Sequence, residues 1–159
     1  MRKSRTEQGA LIARVLSGAW RAVPPPLDFS EAELNHTLPL LLRTGAAGLA
    51  WWRVRHSPLA NTESGGELQQ AYRHYTLRAA TREPAIAATV SLLERHGMRP
   101  LLMKGWAAAR FYPAKGLRPY GDVDLYVPRE ALARANELLL ERSGPACAVE
   151  LHAWPERLL

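Results

Sequence analysis

Residues Tyr120 to Val127 read Tyr-Gly-Asp-Val-Asp-Leu-Tyr-Val, and the two aspartates are where chemistry is most readily placed. Leu125, Tyr126 and Val127 favour a strand. Side chains alternate between the faces of a strand, so Asp122 and Asp124 are expected on one face, with Val123, Leu125 and Val127 turned into a core. At a rise of about 3.3 Å per residue, the two Cα atoms would stand about 6.5 Å apart. Two neighbouring carboxylates repel and are costly to bury without a partner. A divalent cation is the simplest partner, and all-oxygen ligands suit magnesium. An exposed strand edge or a turn would also accommodate Asp-x-Asp, although aspartate is disfavoured in strands. Gly121 precedes the pair and would let the backbone turn sharply there.

Two further segments carry polar groups at comparable places. Leu101, Leu102 and Met103 form a short apolar run consistent with a buried strand, closed by Lys104-Gly105. A helical segment over 106–111 follows, and a helix N-terminus preceded by glycine suits an anion. Lys104 could equally be a solvent-facing strand end. Near the other end, residues 147–152 read as a strand with Glu150 and His152 on one face and Val149 and Leu151 on the other. If that strand lies beside the aspartate strand, Glu150 becomes a third carboxylate. Three carboxylates can hold two magnesium ions roughly 4 Å apart, which activate an attacking oxygen and stabilise a leaving phosphate. Lys104, Lys115 and Arg118 are the cations at hand for a triphosphate. Arg118 could also pair with Asp122 and neutralise it without metal. His152 reads more readily as a satisfied polar residue than as a ligand or base.

The elements that position these residues are mostly helical. Residues 5–22 read as a helix, with Ile12, Val15, Leu16 and Ala19 at helical spacing and Pro24-Pro25-Pro26 ending it. Ser30 and Glu33 form a capping box for a helix running to about residue 55, with a break expected near Gly45. Its apolar face carries Leu34, Leu38, Leu41, Leu42 and Leu49, and Trp51 and Trp52 are packing anchors. Ser64 and Glu67 repeat the capping signal ahead of a long helix. Leu68, Tyr72, Tyr75, Ile86, Val90 and Leu93 face inward on it, Pro84 is expected to kink or break it, and Gly97 caps it. Residues 112–120 form a loop. After the aspartate strand, Pro128 opens a helix with Leu132, Ala135, Leu138 and Leu139 buried, and Gly144-Pro145 stops it. The expectation is an α+β fold: a helical region over residues 1–97, then a small mixed β-sheet flanked by helices over 98–159, packed as one domain.

The 159 residues suit one domain with a modest core. No apolar run approaches the ~20 residues needed to span a bilayer. The basic N-terminus lacks the clean apolar block and cleavage site of a signal peptide. A single cysteine, Cys147, excludes an internal disulfide and a cysteine-rich metal site. It reads as a small buried hydrophobe, and the cytoplasm is the expected location. The formal net charge of +6 favours anionic partners only weakly, because the N-terminal arginines are scattered. No basic stripe or nucleic-acid recognition motif is present.

The order Leu-Met-Lys-Gly-Trp-Ala-Ala, then Arg-Pro-Tyr-Gly-Asp-Val-Asp-Leu-Tyr-Val, then Val-Glu-Leu-His-Ala-Trp resembles a family of uncharacterised bacterial nucleotidyltransferases. That family belongs to the superfamily of DNA polymerase β. The resemblance covers roughly residues 98–154 well and the helical half loosely. It implies metal-binding aspartates at Asp122 and Asp124, with Glu150 as the third carboxylate. It implies Mg2+ or Mn2+ as cofactor, nucleotide contacts from Lys104, Gly105, Arg118 and Gly121, and transfer of a nucleoside monophosphate from ATP or another nucleoside triphosphate. The acceptor would be a small molecule, a protein or an RNA. The sequence departs from the superfamily where Lys104-Gly105-Trp106 replaces the usual Gly-Gly or Gly-Ser. The segment between Gly144 and Glu150 is short, and the chain ends at Leu159, where further helices would usually cover the sheet. A fragment, a shortened member and a homo-oligomer that completes the fold all fit that ending. The competing function is a catalytically silent interaction module built on the same fold.

Overall fold

The computed structural model describes residues 5–19, 21, 23–141 and 149–154. These residues form six helices and three strands: α1 (Arg5–Leu16), α2 (Glu31–Arg43), α3 (Ala47–Val54), α4 (Glu63–Arg95), β1 (Leu101–Met103), α5 (Lys104–Ala109), β2 (Val123–Val127), α6 (Leu132–Leu140) and β3 (Val149–Ala153). The fold is α+β, mostly helical, with a small mixed sheet. Contacts divide the chain into two compact units, Met1–Leu77 with Tyr112–Pro119, and Arg78–Phe111 with Tyr120–Leu159. The sequence-based boundary at 97 and 98 falls just past the end of α4. Gly144, Pro145 and Cys147 lie outside the described residues.

The first unit is built by helix ends and close backbone approaches. α1 stops at Leu16, short of the expected residue 22. Gly18, at φ 70°, turns the chain before the prolines are reached. The Ser30–Glu33 capping box forms as read: the Ser30 hydroxyl accepts from the Glu33 N–H at 3.2 Å, and the Glu33 carboxylate accepts from the Ser30 N–H at 2.8 Å. The expected break at Gly45 separates α2 from α3. Gly45 sits at φ 75°, and the Ala46 N–H reaches back to the Leu41 carbonyl at 2.9 Å, closing the helix end. Leu34, Leu38 and Leu41 of α2 are buried with Val15, Ala47, Ala50, Val54 and Leu68 in one apolar cluster. A Cβ on Gly48 would collide with the Gly116 carbonyl oxygen, so the loop over 112–119 lies directly on the α3 backbone.

The start of α4 is a correction. Ser64 and Glu67 do not cap it; Thr62 does, its hydroxyl accepting from the Gly65 N–H at 3.1 Å. The Ser64 hydroxyl instead donates to the Asn35 side chain at 2.6 Å. Proline did not end the helix either. α4 runs 33 residues through Pro84, with Leu68, Ala79, Ile86 and Leu93 all buried. Packing on both sides of the proline outweighs the one missing backbone hydrogen bond. Past Arg95, Gly97 takes φ 78° and the Met98 N–H reaches the Leu93 carbonyl at 3.0 Å, the expected glycine cap.

The second unit holds the sheet, ordered β1-β2-β3. β1 pairs antiparallel with β2, and β2 pairs parallel with β3. Val123, Leu125 and Val127 are buried with Ile86, Leu93, Met98, Ala135 and Leu138, so one sheet face is core, as the alternation required. Residues 129–131 make a 3-10 turn before α6, so Pro128 precedes that turn rather than opening α6 directly. Ala135 and Leu138 of α6 are buried, while Leu132 and Leu139 are half-buried. Among the described residues, no helix is long and apolar enough to cross a membrane.

Candidate functional site

The parallel pairing of β2 and β3 sets the register that matters: Asp124 opposite Glu150, and Tyr126 opposite His152. Residues opposite one another share a face, so the side chains of Asp124, Glu150 and His152 converge. Each offers a ligand atom within 4.8 Å of the other two. The His152 Nε2 lies 3.0 Å from Asp124 Oδ1 and 3.7 Å from Glu150 Oε2. The imidazole stacks on the Tyr126 ring, with centroids 4.8 Å apart at 25°, which limits how it can turn.

Lys104, the first residue of α5 directly after β1, completes the cluster. Its ammonium donates to the same Asp124 oxygen at 2.8 Å. Asp124 is buried, while Lys104 and Glu150 are exposed. The hydrogen bond from Lys104 holds the Asp124 carboxyl below its ordinary value, His152 adds to this, and desolvation opposes both. The same hydrogen bond, with the charges of Asp124 and Glu150 behind it, raises Lys104 above its ordinary value. Lys104 also sits at φ 53°, a left-handed backbone that non-glycine residues adopt at some cost. Gly105, next in the chain, is packed closely: a Cβ there would come within 3.1 Å of the Tyr120 Cβ.

The remaining residues named from the sequence lie elsewhere. Asp122 precedes β2 instead of belonging to it, is exposed, and takes no part in the three-residue group. The strand alternation expected to align it with Asp124 therefore does not extend that far. Gly121 is exposed, has no left-handed φ, and would accept a Cβ without any atom within 4 Å, so the turn does not demand glycine. Lys115 and Arg118 belong to the first unit, and α5 is a single short helix of six residues. His152, read from the sequence as a satisfied polar residue on the Glu150 face, belongs to the group. Arg82 was not singled out from the sequence and gave no local signal. From α4 it donates to the carbonyls of Tyr120 and Gly121 at 2.6 and 2.5 Å, fixing the backbone that leads into Asp122 and β2.

Two carboxylates and an imidazole within mutual reach form a donor set that fits a divalent cation with mixed oxygen and nitrogen ligands. Glu150 and Lys104 are exposed, so the set opens to solvent. A family model described as an uncharacterised nucleotidyltransferase matches residues 30–146, and the chain belongs to that family. Asp122 and Asp124 fall inside the match; Glu150 and His152 fall beyond it. No curated protein and no solved structure matches the chain.

Proposed function

We propose that the protein is a metal-dependent nucleotidyltransferase that moves a nucleoside monophosphate from a nucleoside triphosphate to an acceptor hydroxyl on a small molecule, protein or RNA. The observation carrying this is the register that sets Asp124 against Glu150, with His152 on the same face, in a chain of this family. Asp124, Glu150 and His152 would hold Mg2+ or Mn2+, and Asp122 stands exposed close by in sequence as a further carboxylate. A bound divalent cation supplies charge neutralisation for the triphosphate and acidifies the acceptor hydroxyl. In the transfer, the acceptor hydroxyl loses its proton to solvent, its oxygen bonds to the α-phosphorus, the bond from the α-phosphorus to the α–β bridging oxygen breaks, and pyrophosphate leaves. The side chains position these groups and balance charge. Lys104 is the site's own cation for phosphate oxygens. The backbone at Gly105 and Gly121 is a further proposed contact.

One observation favours the silent-module reading: Asp124 is already balanced by Lys104, and Asp122 is not drawn into the group. Thermal melting with each nucleoside triphosphate, with and without Mg2+ or Mn2+, separates the two. A ligand at 100 times its Kd stabilises by about 2.7 kcal/mol, a shift of several degrees. A metal-dependent shift that disappears in Asp124→Ala supports the enzyme. Absence of a shift with every nucleotide sinks it and leaves the interaction module.

A further inference from the structure

The Lys104 ammonium lies where it conflicts with a metal ion. A divalent cation on Asp124 Oδ1 would sit about 2.1 Å from that oxygen, and so less than about 5 Å from an ammonium that is itself 2.8 Å from the same atom. His152 Nε2, a ligand atom for that ion, lies 3.0 Å from the same oxygen. An ammonium and a divalent cation cannot share one carboxylate oxygen without repulsion. Lys104 is the one free to leave: its side chain is 57% exposed and ends a flexible four-carbon stem, whereas His152 is held on a strand and stacked on Tyr126.

We propose that Lys104 is an exchangeable internal cation, which balances Asp124 until a divalent cation displaces it and then swings to the phosphates of the incoming nucleotide. This rests on the metal reading above and adds an order of events to it. The Lys104 side chain leaves a left-handed backbone at φ 53°, and the 2.8 Å hydrogen bond alone holds its ammonium at Asp124. After exchange, the same ammonium meets an anion arriving with the metal, and the charge of the site is never left unbalanced.

The test uses Mn2+ alone. The chain has three lysines, Lys3, Lys104 and Lys115, so acylation by an N-hydroxysuccinimide ester can be followed at each by peptide mass spectrometry. An ammonium held by a carboxylate acylates slowly. Saturating Mn2+ is expected to raise the rate at Lys104 about tenfold while leaving Lys115 unchanged, the scale expected for releasing a charge-assisted hydrogen bond. Lys104→Met, a substitution at an exposed side chain, is expected to bind Mn2+ about tenfold more tightly than the parent chain. If Mn2+ stabilises the protein but the Lys104 rate stays flat, or the variant binds no more tightly, the exchange is wrong and the metal reading survives. If Mn2+ does not bind the parent chain or the variant, both fall together.

Discussion

Each unit of the molecule holds a carboxylate below its ordinary value, and the two do so by different means. In the first unit, Glu33 is held down chiefly by the backbone N–H of Ser30, three residues away, with the Ser30 hydroxyl and Arg14 adding to it. In the second, Asp124 is held down by Lys104 and His152, which lie 20 and 28 residues away in sequence. Glu33 completes a helix end, and its partner is dictated by helix geometry. Asp124 completes nothing local. It gathers nitrogen-bearing groups from the start of α5 and from β3 at one oxygen. A carboxylate with a local partner stabilises a structure; one with distant, exchangeable partners is equipped to do something else.

Removing each carboxylate should separate these roles. Asp124→Ala is expected to lower nucleotidyl transfer by roughly a thousandfold, the several kcal/mol that metal stabilisation of a transition state provides. Glu33→Ala should leave turnover within about twofold while lowering stability, since a cap residue acts on folding. Equal losses in both variants would end the contrast. The acid limb of a stability curve sharpens it. Both carboxyls are lowered on folding, so each contributes stability above its unfolded value, 3.8 for Asp124 and 4.5 for Glu33, and loses it as pH falls through the lower folded value. Asp124→Asn and Glu33→Gln should each flatten that limb.

Smaller effects test the scaffolds. Gly48→Ala forces a methyl against the Gly116 carbonyl and should cost about 2 kcal/mol in urea unfolding. Ser30→Ala removes one side of the capping box and should cost about 1 kcal/mol, with no change in metal binding. Gly66→Ala, on an exposed turn of α4 with no atom near the new methyl, should gain about 0.5 kcal/mol.

Helix ends and core faces were legible because their causes lie within a few residues. The Ser30–Glu33 box, the break at Gly45, the Gly97 cap and the buried Val123, Leu125 and Val127 all follow from local pattern. The errors came where a local signal had a stronger rival. Thr62 capped α4 two residues ahead of Ser64, and packing carried the helix through Pro84. The cluster was half legible. Glu150 needed only the conditional that β3 lie beside β2, and His152 shared its face. What no local pattern could supply was the short reach of β2, which leaves Asp122 outside it, the left-handed backbone at Lys104, and the hold of Arg82 on the turn.

The contact between Gly48 and Gly116 bears on how such a molecule would be read from variation. Gly48 tolerates no side chain because the other backbone is in the way; Gly116 tolerates none because Thr76 crowds it and its φ is 83°. Neither can be relieved by changing the other. A library of random variants, screened only for retained folding or cellular abundance, would mark these two positions as intolerant, although they carry no functional group. Glu150, exposed and proposed as a metal ligand, would pass the same screen. Intolerance and chemistry would point to different places, and only a screen that scores turnover separately from abundance would tell them apart.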